Sequence, residues 1–289
     1  MKDNYGNALE IRGLRKEFKN FTLDNIDLVV PAGSIVGLIG ENGAGKTTTI
    51  KAAMDLIHKD SGEVTFFGQQ LAEDPLALRE QISVVFENVH FNPLLTISQA
   101  EKILKSIYKS WDSQAWTHYT QHFGLNSDKP IKDFSKGMRV KFNLAVALSH
   151  NARLLLLDEP TSGLDPVMRD EILDIFLDFM QEEDHAILLS SHITTDLEKI
   201  ADYIAFIHDG RLIFCEKKDD LLYNYGIIRC SADDLALIKS EDRLAVYRQE
   251  FQCNVLVADR HEAARRYPEL VIDTPTIDEI MVFYVKGEK

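Results

Sequence analysis

Polar and apolar positions alternate along the first thirty residues, with Ile26, Leu28 and Val30 in a period of two, which predicts half-buried strands. Ile35-Val36-Gly37-Leu38-Ile39 is a continuous apolar run ending in glycines and predicts a buried strand. Helical spacing follows from about 46 to 58 and is closed by Asp60-Ser61-Gly62. Residues 64–67 and 82–86 predict two further strands. Residues 97–123, which contain Trp111 and Trp116, carry polar and apolar positions at helical spacing. Another helix is expected from Ser135 to Ser149. Strands at 153–157, 186–189 and 204–207 alternate with helices after Pro166 and Thr194, the pattern of a parallel sheet covered by helices. Asp209-Gly210 between two apolar runs predicts a hairpin. The expected class is α/β.

A length of 289 residues suggests two domains, or one large domain with an appendage. With 45% hydrophobic and 27% charged residues the chain has ample material for a core, and disorder is not expected. No apolar run is long enough to span a bilayer, and the first residues lack the apolar stretch of a signal peptide. Three widely spaced cysteines, Cys215, Cys230 and Cys253, predict neither a disulfide framework nor a zinc site. A reducing, cytoplasmic setting is expected. The net charge of -14 argues against nucleic acid as a partner, although a local backbone cradle can still hold phosphates. Composition shifts at Lys217-Lys218-Asp219-Asp220, so residues 1–218 read as one domain. Residues 219–289, with Val255-Leu256-Val257 and an apolar stretch at 280–285, read as a small folded α+β appendage.

The first chemical signal is Gly40-Glu41-Asn42-Gly43-Ala44-Gly45-Lys46-Thr47, followed by Thr48. It satisfies the full GxxxxGK[ST] pattern between a predicted strand and a predicted helix. Glycines let the backbone wrap phosphate oxygens, and the N–H groups at the helix start face the anion. Lys46 can reach the terminal phosphates, and the Thr47 hydroxyl can ligate Mg2+.

A second signal lies after Leu154-Leu155-Leu156-Leu157, where Asp158 and Glu159 sit at the C-terminal edge of a buried strand. Ligands of open parallel sheets bind at that edge. Asp158 suits a Mg2+-holding role and Glu159 that of polarising an attacking water. Alone, the two acids would be a helix cap or a solvated turn; the complete phosphate loop changes their reading.

With these residues in hand, the chain resembles the ATPase subunit of an ABC transporter over roughly residues 8–216. Phe134-Ser135-Lys136-Gly137-Met138 is similar to the family's signature motif, whose usual form is LSGGQ. The stretch from Asp158-Glu159-Pro160 to Gly163-Leu164-Asp165-Pro166 is similar to the joined Walker B motif and D-loop. Ser190-Ser191-His192 matches the switch histidine, and Phe18 stands where the family keeps an aromatic for stacking on adenine. The resemblance implies a P-loop ATPase fold with a mostly parallel sheet, an antiparallel β part and a helical signature subdomain at about 88–150. It implies ATP and Mg2+ as cofactors, with Lys46, Glu159 and His192 as catalytic residues. It also implies that Ser135 and Gly137 meet the terminal phosphate bound to a second ATPase subunit, while Asp165 meets that subunit's phosphate loop. Ser135 and Asp165 read independently as helix N-caps, the latter with Pro166 at the first helical position.

The departures are Lys136 and Met138 in the signature, Glu87 where a glutamine is common, and the tail after 218. All occur in exporter-type members of the ABC-2 kind, such as small bacterial antibiotic- or bacteriocin-resistance systems and an acetoin-utilisation type. Glu87 is a candidate contact to Mg2+ or the water. The resemblance therefore implies an energy-coupling subunit, peripheral on the inner membrane face, bound to a separate transmembrane permease. A soluble ABC protein unconnected with transport is the alternative. The stretch 88–95, with Phe91, Leu94 and Leu95, is the expected docking loop for the permease, against the reading that Phe91 and Leu94 cap the cassette's own core. The tail is expected to fold against the cassette or pair with another tail.

Overall fold

The computed structural model describes residues 6–86, 91–125, 128–248 and 252–288. The chain opens with strands β1 (Asn7–Phe18), β2 (Phe21–Pro31) and β3 (Ile35–Ile39), then helix α1 (Lys46–Ala53), β4 (Ser61–Phe66), α2 (Pro75–Glu80) and β5 (Ile82–Val85). Helices α3 (Ile97–Ile107), α4 (Ser113–His122) and α5 (Lys136–Ala147) follow. Next come β6 (Leu154–Asp158), α6 (Pro166–Phe179), β7 (Ala186–Ser191), α7 (Thr194–Ile200), β8 (Tyr203–His208) and β9 (Arg211–Lys217). The tail contains α8 (Lys218–Tyr223), β10 (Gly226–Cys230), α9 (Ala232–Leu235), β11 (Ala245–Arg248), β12 (Cys253–Val257), α10 (Arg260–Arg266), β13 (Val271–Asp273) and α11 (Ile277–Lys286).

The central sheet has the order β5-β6-β7-β3-β8-β9, parallel except for β9. Strands β3, β6 and β7 are buried at every position, as strands covered on both faces must be. Their register sets Asp158 beside Ser190 and Ile39 beside Ser191, which aligns the chemistry-bearing strand ends along one edge. A second, antiparallel sheet, β2-β1-β4, carries Phe18 at the end of β1. The expected hairpin joins β8 and β9, and both of its turn residues adopt positive φ, 46° at Asp209 and 74° at Gly210, which matches the strand twist.

Two helices differ from the pattern. Helix α1 ends at Ala53, five residues early, because Asp55 turns into the left-handed region at φ 54°. The periodic stretch 97–123 is two helices. Thr96 starts the first with a capping box to Gln99. Asp112 starts the second by accepting from the N–H groups of Gln114 and Ala115 at 2.7 and 3.1 Å.

Helices α3 to α5 gather around Phe142, which is fully buried. Phe91, Trp116 and Phe134 meet its ring edge-on, at centroid distances of 5.0, 5.9 and 5.9 Å. Phe91 is thus a packing residue, and the expectation of an exposed Phe91 is corrected; Leu94 is exposed, and residues 88–90 of that stretch lie outside the described residues. The tail forms an antiparallel sheet, β11-β12-β10-β13. Its helix α11 inserts Ile277, Ile280 and Phe283 into the same apolar cluster as Leu197, Ile200, Phe206 and Phe214 of the preceding part. The tail therefore folds against the rest of the chain.

Candidate functional site

The phosphate loop leaves β3 and enters α1 through Gly45, whose φ of 118° only glycine adopts without strain. A Cβ there would also approach Leu23, Ile207 and Phe21 to 2.9–3.1 Å, so the loop is seated on β2 and the β8 end. Lys46 is only 6% exposed. Its Nζ donates to the carbonyls of Gly40 at 2.7 Å and Glu41 at 3.3 Å, curling the side chain back over the loop. The Thr49 hydroxyl donates to Gly45 O at 2.9 Å and ties the helix start to the loop, while Thr48 is half-buried beside it.

Thr47 and Asp158 come together directly: the hydroxyl donates to both carboxylate oxygens, at 2.8 and 3.0 Å. Ser190, fully buried on the neighbouring strand, donates to Asp158 Oδ1 at 2.7 Å. The Glu159 N–H donates to Ser190 at both its carbonyl (3.1 Å) and its Oγ (3.2 Å). These bonds hold Glu159 at φ 54°, a left-handed conformation that costs a non-glycine residue about 1–2 kcal/mol. The turn carries the Glu159 carboxylate to Lys46 and His192. Oε1 lies 3.3 Å from Lys46 Nζ, a charge contact without hydrogen-bond geometry, since that buried oxygen has no hydrogen-bond partner. Oε2 lies 2.6 Å from His192 Nδ1 and accepts the His192 N–H at 3.3 Å. Thr47, Asp158, Ser190, Glu159, His192 and Lys46 thus form one connected group.

Sequence reasoning missed Ser190 as part of this group. The available signal was a hydroxyl interrupting the apolar run Ala186-Ile187-Leu188-Leu189, level with Asp158. Among the described residues no group of three or more His, Cys, Asp or Glu side chains forms a metal cage. Thr47 and Asp158 do offer two hard oxygen ligands beside the phosphate loop, a set that fits Mg2+ when phosphate and water complete its shell. Glu87 lies outside the described residues.

Phe18 is 42% exposed, 6.3 Å from the Phe21 ring and 5.7 Å from Lys16 Nζ, so it is not a core residue. Ser135 is the N-cap of α5 and accepts from Met138 N–H at 3.2 Å. Gly137 lets α5 touch α6: a Cβ there would stand 2.6 Å from Met168 Sδ. Asp165 caps α6, accepting from the N–H groups of Val167 and Met168 at 3.1 Å. Among the described residues no hydrogen bond joins Ser135 or Asp165 to the phosphate loop. Beyond the far end of α5, His150 is fully buried and stacks on Tyr108 at 4.1 Å. Its Nδ1 lies 3.2 Å from Glu80 O, and burial lowers its pKa below the ordinary imidazole value.

The chain is similar to known proteins in sequence and fold. A family model described as ABC transporter covers residues 23–162. The lantibiotic transport ATP-binding protein SrtF of Streptococcus pyogenes is 34% identical over 214 residues, 73% of this chain and 91% of that protein. The chain belongs to the ABC transporter ATP-binding subunits. The bacitracin transport ATP-binding protein BcrA of Enterococcus faecalis is 34% identical over 209 residues, 71% of this chain and 68% of its own. A solved ATP-binding subunit of an ABC transporter superposes with a TM-score of 0.68 at 28% identity, covering 74% of this chain and 91% of the other. Membership makes the chain an ATPase whose activity is coupled to transport, and the alternative of an ABC ATPase unconnected with transport falls away. Among the described residues no helix is long and apolar enough to cross a membrane.

Proposed function

We propose that this ABC subunit binds Mg2+-ATP at residues 40–48 and hydrolyses it to drive export through a separate transmembrane permease. The supporting observation is the connected group that runs from Thr47 through Asp158 and Ser190 to Glu159, His192 and Lys46. The loop N–H groups and Lys46 take the phosphates, and Phe18 offers its exposed face to the adenine. Thr47 and Asp158 hold Mg2+, which supplies charge neutralisation at the phosphate oxygens when bound. Glu159 accepts a proton from the attacking water, and His192 orients that carboxylate and the terminal phosphate. Lys46 leaves the Glu159 carboxylate for the phosphates, which frees Oε1 for the water.

Ser135, Gly137 and Asp165 act across an interface with a second ATPase subunit, either a copy of this chain or a paralogue. Residues 1–218 form the ATPase domain, with 88–150 as its helical subdomain, and 219–289 form the accessory domain. The permease docks at the groove of about 300 Å3 lined by Val84, Phe86, Phe91, Leu104, Tyr108 and Val146, with exposed Leu94 nearby in sequence. The subunit then sits on the cytoplasmic face of the membrane. Relatives named for lantibiotic and bacitracin transport favour a peptide-antibiotic exporter. In the test, Glu159→Gln keeps ATP affinity and loses turnover by about 10²–10⁴-fold. Hydrolysis at the unaltered rate in that variant removes Glu159 from the mechanism.

A further inference from the structure

Helix α7 begins two residues after His192, and its sequence gives it no cap of its own: Ile193 stands at the N-cap and offers no side-chain acceptor. Ser191 Oγ steadies the approach by accepting the Ile193 N–H at 2.9 Å. A further hold comes from the tail. Asp278, in the first turn of α11, accepts from the Thr194 hydroxyl at 2.9 Å, and Thr194 is buried. Asp278 is not needed to cap α11, because Thr276 and Glu279 already form a capping box there. One turn further along α7, Glu198 accepts the Ile277 N–H at 3.2 Å.

Two ion pairs join α7 to α6: an exposed one, Lys199 to Asp170 at 2.5 Å in the last turn, and a buried one at the first turn. Arg169 of α6 approaches buried Asp196 to 3.7 Å, and Asp196 Oδ2 has no hydrogen-bond partner. A long, half-satisfied buried ion pair is a weak restraint. Leu197 and Ile200 pack α7 into the core, and the short bond to Asp278 is the closest polar hold on its first turn. His192 lies two residues before that turn, between it and β7, and its backbone N–H and Nδ1 both address Glu159 Oε2.

We propose that Asp278 is a positioning residue for hydrolysis: through Thr194 it fixes the start of α7 and so the place of His192 against Glu159. The inference rests on the reading that Glu159 and His192 serve hydrolysis. It gives the tail a part in ATP turnover, and it does not require the tail to undock. The burial of Ile277, Ile280 and Phe283 and the contact of Glu198 with the Ile277 N–H do not use the Asp278 carboxylate.

The test measures turnover and nucleotide binding on the full chain. Asp278→Ala and Thr194→Val each lower kcat roughly tenfold while KM and ATP affinity stay within about twofold. The double variant loses no more than either alone, as expected for two halves of one contact. Asp278→Asn, which keeps an acceptor oxygen, restores most of the turnover. In a His192→Ala background, measured by single turnover, Asp278→Ala has no further effect. Unchanged kcat in both single variants overturns the proposal, as does a full additional loss on top of His192→Ala. A rise in KM that tracks a falling melting temperature, with kcat intact, overturns it too. Glu159→Gln in the same assay separates the two levels. If Glu159→Gln still turns over, the reading of the site itself has failed; if it does not while Asp278→Ala is as active as the parent, the positioning role alone is lost.

Discussion

Lys46 and Ser135 each stand at the start of a helix that faces an anion in the proposed mechanism, yet their surroundings are opposite. Lys46 is buried, and hydrogen bonds and ion contacts join its loop and helix to β6, β7 and the His192 turn. Ser135 is exposed, and its hydroxyl accepts a bond from its own helix. The first region is assembled within this chain before any ligand arrives, and Lys46 is the member that must turn toward the phosphates. The second region presents a capped helix end to the outside. In the proposed mechanism the first region is the reacting half of the site, and the second is the clamping half offered to a second subunit.

The largest effect is expected when the two halves are damaged in different copies. Lys46→Ala and Ser135→Arg are each expected to abolish turnover when every copy carries the change. Mixing the two variants leaves one composite site free of both lesions, so a substantial part of the activity returns. No recovery on mixing, with exchange of subunits verified, means that Ser135 serves the site of its own chain.

A smaller effect is expected at the rim of the reacting half. Base–aromatic stacking is worth about 1–3 kcal/mol in nucleic-acid complexes. Phe18→Ala should weaken ATP affinity by roughly one to two decades on that scale, with the melting temperature unchanged because the ring is exposed. A nucleotide titration equal to the parent's moves the base contact to Phe21.

The smallest effect sharpens the contrast by pH. His150 has its folded-state pKa lowered by burial, so its neutral form adds stability that is complete above the unfolded value of about 6.5 and is lost as pH falls through the folded value. Its ring braces Tyr108 and Glu80 beyond the end of α5. Acidification should therefore lower the amide protection factors of α2, α3 and α5, corrected for the intrinsic pH dependence of exchange, before it affects those of β3, β6 and β7. Simultaneous opening of both regions, or no difference between the parent and His150→Gln, rules out this group as the cause.

Much of this was legible in the chain. The phosphate loop is readable because the chemistry dictates residue types at fixed local spacing, and Gly45 and Lys46 occupy the positions that spacing requires. Asp158 and Glu159 are readable because they end an apolar run. Ser190 is not, because its partner Asp158 lies on another strand and only sheet register brings the two together. Thr194 and Asp278 are 84 residues apart, beyond any local pattern. Asp112 is a start signal inside a periodic stretch, where the helical period continues on both sides and hides the break. Phe91 shows the converse. An aromatic in an apparent loop suggests exposure until the ring it packs against, Phe142, is known.

The cluster shared by α7, β8, β9 and α11 has a consequence for how the protein is made. Its members Leu197, Phe206 and Phe214 leave the ribosome well before Ile277, Ile280 and Phe283. At about 5–20 residues per second, several seconds of synthesis separate the two sets. Throughout that interval the nascent ATPase part carries an apolar face with nothing to cover it, the condition under which chaperones bind and off-pathway association begins. Making α11 closes that face, so the ATPase part completes its core only when a segment far downstream of its own strands has been synthesised.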